Sequence, residues 1–120
     1  MTTDKQQILT SWDELPATLT TYLTAHEAQD VTTAISTFTA DAVVTDEGQT
    51  YRGIDEIRGW LNSSGTEYTF TTDFVGATTL DPARIDVVQH LEGNFPGGVA
   101  DLNFRFTTDG ALISRLVIEP

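Results

Sequence analysis

Apolar positions along this chain change their spacing near residue 67. Before that point Leu15, Leu19, Tyr22, Leu23 and His26 recur at helical intervals, with Pro16 suited to a first turn. Asp30 has the chemistry of an N-cap, and Val31, Ala34, Ile35 and Phe38 then share one helical face. Ala42-Val43-Val44-Thr45 is short and rich in β-branched residues, so it reads as a strand. A turn follows over Glu47-Gly48-Gln49-Thr50. Gly53 frees the backbone ahead of a third helix with Ile54, Ile57, Trp60 and Leu61 inward. From Glu67 the period becomes two. Tyr68, Phe70, Thr72 and Phe74 share a face, as do Ile85, Val87, Gln89 and Leu91. Leu102, Phe104 and Phe106 alternate with Asp101, Asn103 and Arg105, and a last strand covers residues 112–118. Asp81-Pro82, Asn94-Phe95-Pro96-Gly97-Gly98 and Asp109-Gly110 separate these runs as turns. Helices first and an antiparallel meander after them predict an α+β domain with its helices on one sheet face.

Residues 1–12 are polar apart from Ile8, Leu9 and Trp12 and read as a tail or short leading helix; residues 13–120 read as one domain. An apolar content of 39% argues for a folded chain. The start, Met1-Thr2-Thr3-Asp4-Lys5, lacks a basic stretch followed by an apolar one, and no apolar run suits a bilayer. The expected location is therefore cytoplasmic, with no membrane partner. Eighteen acidic residues against six basic ones give a net charge of −12, which disfavours nucleic acid as a partner. The same acidity suits a solvated, self-repelling surface, and with Lys5 as the one lysine it also suits a saline setting. Cysteine is absent, which removes disulfides, thiolate catalysis and cysteine zinc sites.

Three groups carry candidate chemistry. Asp46 ends a buried strand, where a carboxylate is costly unless it is used or satisfied. It is either a general base or a turn residue bonded to nearby backbone N–H groups. Tyr22 and His26 lie one turn apart on the first helix. Tyr22 is an acid or oxyanion donor, or else a core tyrosine. His26 either orients against Asp46 or is a helix histidine favoured near a C-terminus by the dipole. Gln89 is the polar member of an apolar inward face and a candidate for hydrogen bonding to a ligand, while Trp60 suits a pocket wall. His90 alternates away from that face. Two histidines on opposite faces make a metal centre unexpected. Gly97-Gly98 reads as a hairpin turn rather than a phosphate loop, since no lysine or helix N-terminus follows.

Taken in order, Phe38-Thr39-Ala40-Asp41-Ala42-Val43-Val44, Tyr51-Arg52-Gly53, and Asn94-Phe95-Pro96-Gly97-Gly98 with Asp101-Leu102-Asn103-Phe104-Arg105-Phe106 make the chain resemble the SnoaL-like, nuclear-transport-factor-two-like superfamily over residues 12–119. The resemblance implies a cone-shaped barrel, a curved and mostly antiparallel sheet wrapped around about three N-terminal helices, with an apolar pocket at its open end. It is sharpest with the ketosteroid isomerase branch, whose donor tyrosine and proton-shuttling aspartate fall on Tyr22 and Asp46 without a gap. The branch's second donor falls on Leu102, beside Asp101, and the aromatic partners of its tyrosine fall on Phe38 and Leu61. Trp60, Gln89, Leu102, Phe104 and Leu116 are the implied ligand-binding wall.

The expected function is a pocket for a small apolar or polycyclic molecule. Proton transfer of the isomerase, cyclase or dehydratase type would run there without a cofactor, with Asp46 as base and Tyr22 as acid or oxyanion donor. The alternative is a non-catalytic binding or dimerisation module of the same fold. The outer sheet face, with Val88, His90, Asp101, Asn103 and Arg105, is the expected homodimer surface, as is common in the superfamily. Titration distinguishes two settings for Asp46. An isolated, desolvated carboxylate lies above its ordinary value, and one paired with a cationic His26 lies below it.

Overall fold

The computed structural model describes residues 8–67 and 69–120. Its elements are β1 (Ile8–Thr10), α1 (Ala17–Ala28), α2 (Val31–Ile35), β2 (Phe38–Asp46), β3 (Gln49–Arg52), α3 (Gly53–Glu67), β4 (Phe70–Asp81), β5 (Arg84–Gly93), β6 (Val99–Asp109) and β7 (Leu112–Glu119). Among the described residues seven strands form one curved, unclosed sheet in the order β1-β4-β5-β6-β7-β2-β3. Every neighbouring pair is antiparallel except β2 with β7. The expected α+β arrangement is therefore the observed one.

Local chemistry fixes the helix ends. The Pro16 carbonyl accepts from the Leu19 and Thr20 N–H groups at the start of α1, and Asp30 caps α2 by accepting from the Thr33 N–H at 3.2 Å. The second helix is shorter than its apolar pattern suggests. Ser36 and Thr37 donate their hydroxyls back to the Thr33 and Ala34 carbonyls, each at 2.6 Å, and the chain leaves the helix there. Phe38, expected on the helix, opens β2 instead. The strand then runs to Asp46, with a register shift between Phe38 and Val43.

A second difference follows Asp46. Glu47 and Gly48, with φ of 53° and 78°, make a two-residue hairpin turn, so Gln49, Thr50, Tyr51 and Arg52 belong to a strand rather than to a turn. At the front of the chain Ile8–Thr10 pairs with β4, where a tail or short helix is the sequence reading. Residues 1–7 and Tyr68, the latter read as sharing a face with Phe70, lie outside the described residues.

Apolar burial joins the helices to the inner sheet face. Leu19, Tyr22 and Leu23 of α1 and Ile57, Trp60 and Leu61 of α3 pack with Val87, Phe104, Phe106, Ile113 and Leu116. Each fully buried Leu, Ile or Phe contributes about 1.5–3 kcal/mol. The β4 register slips by one residue between Phe74 and Gly76, which keeps Ala77 opposite Val87 on the inner face.

Candidate functional site

One end of the inner face holds a cavity of about 490 Å³, within the range of small-molecule pockets. His26 reaches it from α1, Trp60 from α3, and Asp46 from the end of β2. Leu102 and Phe104 of β6 form a wall. The exposed Glu47 and Pro96 mark its rim, contributed by the β2–β3 turn and the β5–β6 connection.

Asp46 is held by a partner that periodicity alone does not reveal. The Trp60 indole Nε1–H donates to Asp46 Oδ2 at 3.1 Å. The indole itself stacks on Tyr51, with centroids 5.9 Å apart. Burial raises the Asp46 carboxyl above its ordinary range and the Glu47 charge adds to this, while hydrogen bonds from Trp60 and the Glu47 backbone oppose it. That is the direction for a desolvated carboxylate without a cationic partner. Accordingly, among the described residues no hydrogen bond or ion pair joins Asp46 to His26.

His26 sits in aromatic surroundings. Its ring stacks on Tyr22 at 5.6 Å and on Trp60 at 6.4 Å, with Phe70 at 5.4 Å and Phe104 at 6.1 Å. Nδ1 is enclosed and has no hydrogen-bond partner among the described residues. Loss of water disfavours the imidazolium and brings the pKa down from 6.5 to about 4, so the ring is neutral at pH 7.

The site differs from the sequence reading in three members. Tyr22 does not border the cavity: it is fully buried behind His26, edge-on to Phe38 and Phe106 at 5.5 and 5.8 Å. Its enclosed hydroxyl titrates well above its ordinary value, through burial first and the Asp46 charge second. Gln89 faces inward but opens on a separate depression of about 220 Å³ beside Trp12, Glu27 and Phe74. Leu116 is sealed in the core rather than exposed in the wall. His26, Asp46, Trp60, Leu102 and Phe104 do share the cavity.

Glu47, Phe70, Leu91, Phe95, Pro96, Ala100 and Ile118 complete the lining. Of these, Phe95-Pro96 carries a legible signal, because a bulky apolar residue in a turn needs something to cover. Among the described residues no cluster of histidine and carboxylates is arranged for a metal ion, and no helix is long and apolar enough to cross a membrane.

Helices laid against a curved sheet around an end cavity define an α+β cone with a pocket. A candidate polyketide cyclase from Sinorhizobium meliloti is similar with a TM-score of 0.82 and 29% identity, over 89% of this chain and 97% of that one. A Catenulispora acidiphila protein of ketosteroid-isomerase-like fold, solved with trimethylamine, gives 0.77 and 17% over 88% and 85%. A Mycobacterium tuberculosis protein solved with estradiol-17β-hemisuccinate gives 0.73 and 14% over 86% and 90%. No protein-family model and no curated protein sequence matches the chain. The chain has the fold of the SnoaL-like, nuclear-transport-factor-two-like superfamily, and these likenesses support that resemblance.

Proposed function

We propose that this chain binds a small, mainly apolar molecule in the end cavity and moves a proton on it without a cofactor, as an isomerase, cyclase or dehydratase does. The observation that carries this reading is the presence of Asp46 and His26 in one apolar cavity, each shifted by burial toward its neutral form. Asp46 is the base. Trp60 fixes one carboxylate oxygen, and desolvation makes the group more basic than a surface aspartate. His26, neutral at pH 7, donates a ring N–H to the substrate oxygen on which charge develops. The neutral imidazole keeps one ring N–H, which is enough to polarise a substrate carbonyl. Tyr22 is then a positioning residue that stacks behind His26 rather than the donor itself. Trp60, Leu102 and Phe104 hold the apolar body. Trimethylamine and estradiol-17β-hemisuccinate in two neighbours of the same fold support a small-molecule occupant.

Turnover of α,β-unsaturated ketones, cyclic enones and small epoxides tests the reading. Asp46→Asn keeps shape but removes basicity, so the rate on any of these neutral substrates that turns over should fall about 10²–10⁴-fold while its binding persists. Equal rates for the variant and the parent would remove Asp46 as base. One observation favours a non-catalytic binding module: the Tyr22 hydroxyl is sealed from the cavity. Binding of these compounds with no turnover of any would favour that module.

The proposal extends to assembly, with a homodimer formed through the outer sheet face around Val88, His90 and Asn103. Sedimentation at rising salt, which screens the −12 charge, should give twice the monomer mass. A monomer at every salt and protein concentration would exclude it.

A further inference from the structure

The end cavity discriminates ligands by charge, an inference that rests on the small-molecule reading above. Asp46 and Glu47 both line it, and among the described lining residues there is no lysine or arginine. The one basic side chain present, His26, is neutral at pH 7. Three carboxylates elsewhere in the chain pair with arginines, Asp55 with Arg58, Asp81 with Arg84, and Glu119 with Arg105. Asp46, half-buried, has an indole N–H and no ion pair among the described residues. A partly buried carboxylate without a counter-ion is costly, and the cost falls when a cation enters beside it.

Two further features point the same way. Trp60, Phe70, Phe95 and Phe104 surround the same space with aromatic rings, whose faces attract a cation and whose area packs an apolar body. Glu47 is held at φ of 53°, a left-handed conformation that a turn of this type fills more readily with Asn, Asp or Gly. The chain thus carries a carboxylate on the rim at a backbone position ill suited to glutamate. Strain of this kind gathers at functional sites.

We infer that the cavity takes a positively charged apolar ligand, an alkyl- or arylammonium. Its cationic nitrogen lies beside the Asp46 and Glu47 carboxylates, and its apolar body lies against the aromatic wall. The net charge of −12 draws such a cation toward the protein. An anion of the same shape meets two carboxylates and, among the described lining residues, no lysine or arginine.

Three probes of closely similar shape and different charge test this: phenyltrimethylammonium, tert-butylbenzene and benzenesulfonate. Each is titrated into the full chain at pH 7 and followed by the NMR signal of the Trp60 indole N–H. Phenyltrimethylammonium should bind at least tenfold more tightly than tert-butylbenzene, and benzenesulfonate should leave the signal unmoved. Glu47→Gln, at an exposed rim position, and Asp46→Asn should each weaken the cation at least threefold while changing tert-butylbenzene less than twofold. Equal or tighter binding of tert-butylbenzene would overturn the charge inference and leave the small-molecule reading standing. Failure of all three to move the Trp60 signal would count against both.

Discussion

The two histidines lie on opposite faces of one sheet and meet opposite fates. On the inner face His26 is packed among Tyr22, Trp60, Phe70 and Phe104, and its Nδ1 has no partner among the described residues. On the outer face His90 Nδ1 lies 2.6 Å from Asp101 and its Nε2 lies 2.9 Å from Glu92. Two carboxylates at both ring nitrogens call for two N–H donors, so this imidazole favours the charged form and titrates above its ordinary value. Inside, burial drives the ring the other way. Solvent access and partner charge, not residue type, decide which imidazole is shifted toward its neutral form and which toward its charged form.

The largest effect expected from this contrast lies within β6. Phe104 is fully buried on the inner face, and Phe104→Ala should cost about 3–5 kcal/mol of stability. Its neighbour Arg105 points outward to a solvent-exposed pair with Glu119, and Arg105→Ala should cost under about 1 kcal/mol. Urea unfolding of both variants measures the difference, and comparable losses would erase the distinction between the faces.

A smaller effect separates the histidines by pH. His26 is depressed when folded, so its contribution is complete above 6.5 and is lost as pH falls toward 4, a loss of about 2–3 kcal/mol. His26→Phe should flatten that window. Asp46 opposes it. Its raised folded pKa makes ionisation destabilising, so its contribution is present below the ordinary carboxylate value and is lost as pH rises through the folded one. His90 has the same sign as Asp46 at higher pH: its contribution holds below 6.5 and is lost as pH rises through its raised value. His90→Asn should remove that alkaline slope and leave the acid one intact. Stability measured at intervals from pH 4 to 9 for parent and variants resolves these slopes.

Most of the strands and helix starts were legible because period and caps are local signals. Pro16 and Asp30 mark helix starts, and the alternation through Ile85, Val87, Gln89 and Leu91 marks an inward face. What escaped was decided by competition or by distance. Phe38 continues a helical pattern, yet the Ser36 and Thr37 hydroxyls end the helix first. The Trp60–Asp46 hydrogen bond joins α3 to β2, so spacing could suggest a wall residue but not a donor. Tyr22 shares a helical face with His26, but the depth of each in the cone depends on the rings packed around them.

Two smaller changes sharpen the inner face. Trp60→Phe keeps an aromatic wall but removes the indole donor, so the Asp46 carboxyl should titrate higher still in a carboxyl-detected NMR experiment. An unchanged value would mean that the indole does not hold the carboxylate. Glu47→Asn suits the left-handed turn position better and should add about 0.5 kcal/mol in urea unfolding. A loss of stability there would remove strain from the account of the rim.

The most direct measurement follows both imidazole rings by NMR in one sample of the unmodified protein from pH 3.5 to 9. Burial among aromatic rings predicts that His26 titrates far below 6.5, near 4, while His90 titrates above 6.5. His26 titrating at or above 6.5 would mean a hydrated or carboxylate-paired ring, and would contradict the neutral inner-face donor on which the proposed chemistry depends.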